Sequence, residues 1–445
     1  MSEGTEPVSE TARLADFALS LRHEEIPEHV RATARAAILD SLACAIAGRN
    51  EPVALRLRTF ALARSSGGPA TLWGTGEKVP AELAALVNGA AAHALDYDDV
   101  SWAMNGHPTV PLLPAAFAAA EAVGASGRDF LRAYVAGFEV EARLGQALGR
   151  SHYEKGWHAT STLGVFGAAA AAGILLGLDP PKLRRAFGIA CSRAAGSRAN
   201  FGTDAKPLHA GLAARAGLEA AEFARLGVTA REDIVEADMG LSDLYAGKKP
   251  LSLPALGRPF ALEKPGLELK PYPSCRFTHR TIDLVLALAE KHAEKTLESL
   301  EIASDPLGLK ILIYPTPRTG LEAKFSLPYC AAVAWLDGWP GLAAFSDERA
   351  RRADVQKLLR RVVVREARGP EEEVEGVFAD GTRARVTARH AKGNPDVPLS
   401  DYERLEKVNA CVFPELGPGA PERLVAAVDS LESHSDLREL AKCLA

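Results

Sequence analysis

Gly164-Val165-Phe166-Gly167-Ala168-Ala169-Ala170-Ala171-Ala172-Gly173-Ile174-Leu175-Leu176 carries no charge and mixes the smallest side chains with large apolar ones. Its glycines and alanines leave little bulk between one backbone and the next, so a helix of this sequence packs closely against its neighbours. The run is shorter than the ~18 apolar residues a membrane span requires, and no other stretch is longer. A packed helical bundle therefore explains it without a bilayer. Working outward, apolar residues recur at i, i+3, i+4 over Arg31–Ala47, Pro80–Leu95, Leu113–Val123, Gly127–Leu148 and Leu208–Leu226. Pro27 and Pro80 stand where first-turn prolines belong, and Gly48, Gly124, Gly177 and Gly227 follow the last periodic residue. Ala70–Trp73, followed by Gly74-Thr75-Gly76, reads as a short hairpin at most.

The composition changes after Leu262. Glu301–Ala303, Lys310–Tyr314, Val362–Glu366 and Val374–Phe378 read as short strands, the last turning through Asp380-Gly381 into Arg383–Ala388. Helical patterns lie between them at Thr278–Lys291 and Leu327–Asp337. The stretch Gly393–Leu399, with Pro395 and Pro398, reads as a return linker, and two amphipathic helices, Pro421–Leu431 and Asp436–Leu444, close the chain. The expected architecture is mainly α. Residues 1–264 and 400–445 form a large all-helical domain, and residues 265–399 form a smaller α+β domain. No internal repeat of fixed period favours a solenoid.

The 445 residues are 47% hydrophobic, 24% charged and 6% aromatic, with a formal net charge of −5, which places the chain among globular proteins and away from disordered ones. The negative balance favours neither nucleic acid nor an anionic membrane surface. The acidic start MSEGTEPVSETARLADF lacks the basic and apolar parts of a signal peptide. Cys44, Cys191, Cys275, Cys330, Cys411 and Cys443 lie far apart without metal spacing. A cytoplasmic protein with reduced thiols is expected.

Four protonatable residues share a local setting. His107 precedes Pro108, Lys206 precedes Pro207, and Lys270 precedes Pro271. His158 precedes the hydroxyl-rich Ala159-Thr160-Ser161-Thr162, which reads as a set of caps for the glycine-spaced helix. A residue before proline leaves the α region while the proline suits a first turn, so His107 and Lys206 are expected just ahead of helix N-termini, where anions are favoured. Several cations so placed suit a small ligand with more than one carboxylate. Taken singly, each has an ordinary structural explanation in a chain with 28 prolines. The carboxylates of Asp96, Asp98 and Asp99 suit a hard cation such as Mg²⁺, yet no phosphate loop accompanies them and acidic residues after a helix are often simple hydrogen-bond acceptors. No metal is expected. No G-x-G-x-x-G, Walker or G-x-S-x-G motif is present, and no phosphate cup supports a pyridoxal Schiff base at Lys206 or Lys270.

Several blocks together resemble one family. Asn88-Gly89-Ala90-Ala91-Ala92-His93-Ala94-Leu95-Asp96-Tyr97-Asp98-Asp99, His107-Pro108, Gly156-Trp157-His158-Ala159-Thr160-Ser161-Thr162, Gly202-Thr203-Asp204-Ala205-Lys206-Pro207-Leu208-His209-Ala210-Gly211, Lys270-Pro271-Tyr272-Pro273-Ser274-Cys275 and Arg318-Thr319-Gly320-Leu321-Glu322-Ala323-Lys324-Phe325-Ser326-Leu327 run in the order of the MmgE/PrpD family. That family contains 2-methylcitrate dehydratase, cis-aconitate decarboxylase and iminodisuccinate epimerase. The resemblance implies a large helical domain with a smaller lid, a homodimer, and no required metal or organic cofactor. It puts the active-site positions at Asp96, His107, His158, Lys206 and Lys270. Val100 stands where the decarboxylase branch has a threonine after its Asp-Asp pair, which argues mildly against decarboxylation.

Proton movement beside a carboxylate is the shared chemistry of these enzymes. It also fits the residues, because cations stabilise developing enolate charge and imidazole transfers protons near neutral pH. The expected protein is a cofactor-free lyase, a hydratase/dehydratase of a small di- or tricarboxylate. His107 and His158 are the expected acid/base pair, Lys206 and Lys270 the carboxylate clamps, and Asp96 the residue that orients a histidine or substrate hydroxyl. An epimerase of an iminodisuccinate-like diacid and a cis-aconitate-type decarboxylase are the enzymatic alternatives. A helical binding or scaffold protein is the non-enzymatic one, and it places His107, Lys206 and Lys270 apart on the surface.

Overall fold

Helical periodicity becomes ten helices in the first half of the chain, in a computed structural model that describes residues 9–247 and 250–445. The acidic stretch up to residue 8 lies outside the described residues. The helices are α1 (Glu10–Ser20), α2 (Glu28–Gly48), α3 (Pro52–Leu62), α4 (Ala81–Ala94), α5 (Thr109–Val123), α6 (Gly127–Glu154, broken at Gly149), α7 (Ala159–Thr162), α8 (Gly164–Leu175), α9 (Pro180–Cys191) and α10 (Ala205–Arg225). The charge-free α8 is buried from Gly164 to Ile174 and packs against α5, α6, α9 and α10. Small residues allow this. A Cβ on Gly217 of α10 would lie 2.5 Å from Ala168 Cβ and 2.7 Å from the Val165 carbonyl. The early hairpin is a two-residue pair, β1 (Ala70–Thr71) with β2 (Lys78–Val79).

The later half mixes α11 (His279–Lys291), β3 (Leu297–Ser304), α12 (Pro306–Leu309), α13 (Gly320–Ala323), α14 (Leu327–Asp337), α15 (Asp347–Arg351), α16 (Ala353–Leu359), β4 (Val362–Glu366), β5 (Glu372–Phe378) and β6 (Arg383–Ala388). The sheet runs β4-β3-β5-β6, with β3–β4 parallel and the other two pairs antiparallel. Gly381, at φ 82°, makes the β5–β6 turn that its Asp-Gly signal predicts. Helices α11 and α14 pack on the sheet.

Two expectations need correction. Lys310–Tyr314 is not a strand, because Asp305 caps a helical turn at Pro306 and the chain then runs as a loop. The closing segment also begins earlier than its apolar pattern suggests. Ser400 and Glu403 form a capping box that starts α17 (Asp401–Leu416), which precedes α18 (Ala420–Asp429) and α19 (Arg438–Lys442). Helices α17 and α18 pack on α2, and Lys407 pairs with Asp40 there at 2.6 Å. Among the described residues no helix is long and apolar enough to cross a membrane.

Candidate active site

Helix α4 ends at Ala94, and Asp96 then adopts φ 51°, a left-handed conformation unusual for a residue with a side chain. This sharp turn lets neighbouring carboxylates serve different partners. Asp96 Oδ2 accepts from Lys206 Nζ at 2.8 Å, and Oδ1 accepts from Lys270 Nζ, which also donates to the Asp96 carbonyl at 2.8 Å. Burial pushes the Asp96 carboxyl up, but the two ammonium groups outweigh it and hold the acid well below its ordinary range. Lys324, just past α13, donates to the carbonyls of Leu95 and Pro273, tying this turn to the loop after Lys270. Its burial lowers the ammonium to about 8.

Asp98 faces imidazoles. His93 Nδ1 lies 2.9 Å from Asp98 Oδ2, and so does His107 Nδ1. His107 Nε2 is 3.8 Å from Asp96 Oδ1. His107 thus lies between Asp98 and Asp96, the residue expected to orient a histidine or a substrate hydroxyl. His93 is pushed down to about 3 by burial, against the pull of Asp98. His107 is lowered by burial too, with Asp98 opposing and Lys270 and Lys206 adding to the shift.

His158 immediately precedes α7 and stacks near His93, with ring centroids 5.8 Å apart, and Phe201 meets it edge-on at 5.0 Å. Its Nδ1 lies 3.1 Å from Nδ1 of His209, one turn along α10 from Lys206. Its Nε2 is buried with no hydrogen-bond partner among the described residues. Burial places its pKa well below the ordinary value, and His93 and Lys206 add to that shift. The hydroxyls after His158 do not cap α8 as expected. Thr160 Oγ1 accepts from the His107 amide at 3.0 Å, and Thr162 Oγ1 meets His152 Nε2 at 3.0 Å.

These groups border a narrow cleft of about 40 Å³ between the helical half and the sheet-bearing half. Asp96, His107, His158 and Lys206 line it from one side, and Cys275, Arg276, Phe277, Leu307 and Phe325 from the other. His107 does precede a helix, α5. Lys206, by contrast, lies within the first turn of α10, and no helix follows Lys270-Pro271 directly. Lys270, the other expected clamp, is fully buried behind the cleft wall and pairs with Asp96. Arg276 is the second cation on the wall and pairs with buried Glu268. His93, His209 and Arg276 were not singled out from sequence, and Asp98 was considered there only as a cation ligand. His93, Asp98 and His209 nevertheless sit inside the family blocks, whereas Arg276 follows the last residue of its block.

The three aspartates do not converge as a cation site. Asp96 turns to the lysines, Asp98 to the histidines, and Asp99 accepts from the Thr109 hydroxyl. Among the described residues, His93, Asp98 and His107 are the one group with metal-ligand proximity, and their atoms already contact one another. The scattered surface positions that a scaffold protein would have are not found, since His107, Lys206 and Lys270 gather around one buried carboxylate.

The family model of the MmgE/PrpD N-terminal domain matches residues 12–254, and that of the C-terminal domain matches residues 272–433. The chain is 30% identical to the cis-aconitate decarboxylase of Mus musculus over 98% of its own length and 93% of that enzyme. It is 31% identical to the cis-aconitate decarboxylase of Homo sapiens, covering 98% and 94% of the two chains. Identity to the cis-aconitate decarboxylase of Aspergillus terreus (strain NIH 2624 / FGSC A1156) is 27%, over 97% and 96%.

Proposed function

The chain belongs to the MmgE/PrpD family, and from that premise we propose that it is a lyase that removes CO₂ from a small unsaturated tricarboxylate of the cis-aconitate type. The observation that carries this reading is the pairing of two low-pKa imidazoles, His107 and His158, with Lys206 and Arg276 on one narrow cleft. When the C–CO₂⁻ bond breaks, its electron pair enters the remaining carbon framework, giving enolate-like charge next to a carboxylate. Fixed cations stabilise that charge in a site largely shielded from water. A neutral imidazole N–H then delivers the proton that replaces CO₂. In this scheme Lys206 and Arg276 bind carboxylates, and His107 and His158 exchange protons with carbon. Asp96 and Lys270 hold Lys206 in place, and Asp98 fixes the His107 ring.

Dehydration, first among the expectations from sequence, stays as the second reading because of Val100. This buried residue lines the cleft and carries no hydroxyl where the resemblance places a threonine in the decarboxylase branch. Incubation with cis-aconitate and with a set of citrate-like hydroxy acids, followed by CO₂ release and product mass, separates the two. CO₂ from cis-aconitate supports the proposal. Loss of water from a hydroxy acid without CO₂ overturns it. Deuterium exchange at carbon in D₂O, with neither group lost, indicates epimerisation instead. We propose further that no metal takes part, so activity survives exhaustive chelation, and that the protein is a homodimer, which light scattering at micromolar concentration measures.

A further inference from the structure

Two nitrogens of the same kind hydrogen-bond only when one carries a proton and the other a lone pair. The 3.1 Å contact between His158 Nδ1 and His209 Nδ1 therefore places the two rings in complementary tautomers. Whichever ring donates through Nδ1 has a bare Nε2, and its partner has a protonated Nε2. The two outer nitrogens differ in setting. His158 lines the cleft, is 1% exposed, and its Nε2 has no partner among the described residues. His209 is absent from the cleft wall and is 9% exposed.

We propose that His209 is a proton relay that feeds a proton to His158 Nδ1 while His158 Nε2 gives one to carbon, so that His158 protonates the substrate without passing through an imidazolate. The proposal rests on the decarboxylase reading, since that reaction needs a proton from outside the substrate. A tricarboxylate trianion and one proton yield a dicarboxylate dianion and CO₂. Dehydration releases as many protons as it takes up, counting water, and epimerisation returns the proton it removes.

The moves balance. The His158 Nε2–H bond breaks as its proton joins the substrate carbon, and His158 Nδ1 takes the proton from His209 Nδ1. His209 Nε2 then takes a proton from solvent. Both rings end neutral with their tautomers exchanged. When water refills the cleft it reprotonates His158 Nε2, the Nδ1 proton returns to His209, and His209 Nε2 releases its proton to solvent. Burial lowers the pKa of both histidines, with Lys206 adding to each shift, so the neutral rings that this exchange requires are the ones present near pH 7. His93 and Phe201 pack on His158 and hold its plane. His209 itself touches no substrate and acts through His158.

The test uses the full-length protein and cis-aconitate. His209→Phe removes the relay, and His209→Gln keeps a polar partner that cannot exchange protons in this way. Both are expected to lower kcat by about ten- to a hundredfold with KM changed little, because a proton-transfer step is lost and binding groups are kept. Added imidazole is expected to restore turnover to the variants in proportion to its concentration and to leave the wild type unaffected. Full kcat in His209→Gln, or a loss that does not respond to imidazole, overturns the relay. Nitrogen-15 spectra of the ring nitrogens supply a readout independent of turnover. One Nδ1 of the pair should be protonated and the other bare, and this pattern should vanish in His209→Gln. Two protonated or two bare Nδ1 atoms overturn the relay. Failure of the decarboxylase reading has a different signature: the wild type itself releases no CO₂, which overturns the relay's role in turnover, while the nitrogen spectra still show the tautomer pair.

Discussion

Asp96 and Asp98 on the cleft side, and Asp99 and Glu141 in the helical interior, are carboxyl groups at the same depth whose acidities shift in opposite directions. All four are buried, from 0% to 3% exposed. Asp96 meets two ammonium groups and Asp98 meets two imidazoles, and both acids are held well below the ordinary range. Asp99 is pushed well above it by burial, with the charges of Asp98 and Asp40 adding and the Thr109 hydrogen bonds opposing. Glu141 is raised by burial as well, and neither of its oxygens has a hydrogen-bond partner among the described residues. Depth alone does not set the charge of a buried acid; the partner does. The cleft is where the fold supplies partners, and it therefore holds ions that the bundle interior excludes.

The largest expected effect is a direct contrast between these regions. Asp96→Asn leaves two buried ammonium groups without their counter-charge, which costs about 3–5 kcal/mol of stability and abolishes most turnover. Asp99→Asn replaces a carboxyl that burial pushes toward its neutral form by an amide that still accepts from Thr109, so its cost stays below about 1 kcal/mol. Denaturant melts of both variants measure this, and equal losses would break the contrast. Next comes His107→Gln, expected to lower kcat by about 10²–10⁴ with little change in KM, since it removes a proton carrier and leaves Lys206 and Arg276 in place. A rise in KM at constant kcat would make His107 a binding residue.

Packing in the interior predicts a smaller effect. Gly217→Ala puts a methyl group within 2.5 Å of Ala168 Cβ, so α8 and α10 must separate, at about 1–3 kcal/mol. Thermal unfolding measures it, with activity per folded molecule unchanged. The smallest effect, within about one pH unit of neutrality, is the pH dependence of the cleft. His93 titrates near 3 in the fold and near its ordinary 6.5 when unfolded. Between those values the unfolded chain binds more protons, so stability falls as pH drops from 6.5 toward 3. His93→Gln should flatten that part of the curve of melting temperature against pH.

The same contrast marks how far local patterns reach. Helices α8 and α14 stand close to where their apolar spacing places them, because that signal acts within a turn or two of the backbone. Helix α17 escaped notice because its apolar face is narrow and interrupted by Pro414, although its Ser400–Glu403 box was legible. His107, His158 and Lys206 stood out through their neighbouring prolines and hydroxyls, and the structure does bring them together with Asp96. The same local reasoning did not foresee that Lys270 pairs with Asp96 or that Asp98 lies against His107.

Periodicity, capping residues and family blocks settled the mainly α class and the identity of most of the cleft's polar residues. Tertiary structure decided which of them face the cleft and which face each other. Lys270 and Asp96 are 174 positions apart, and His158 and His209 are 51 apart. No local rule pairs such residues. Their partnership depends on how α4, α7 and α10 pack around one turn, and that turn uses a left-handed aspartate without the glycine that would have announced it.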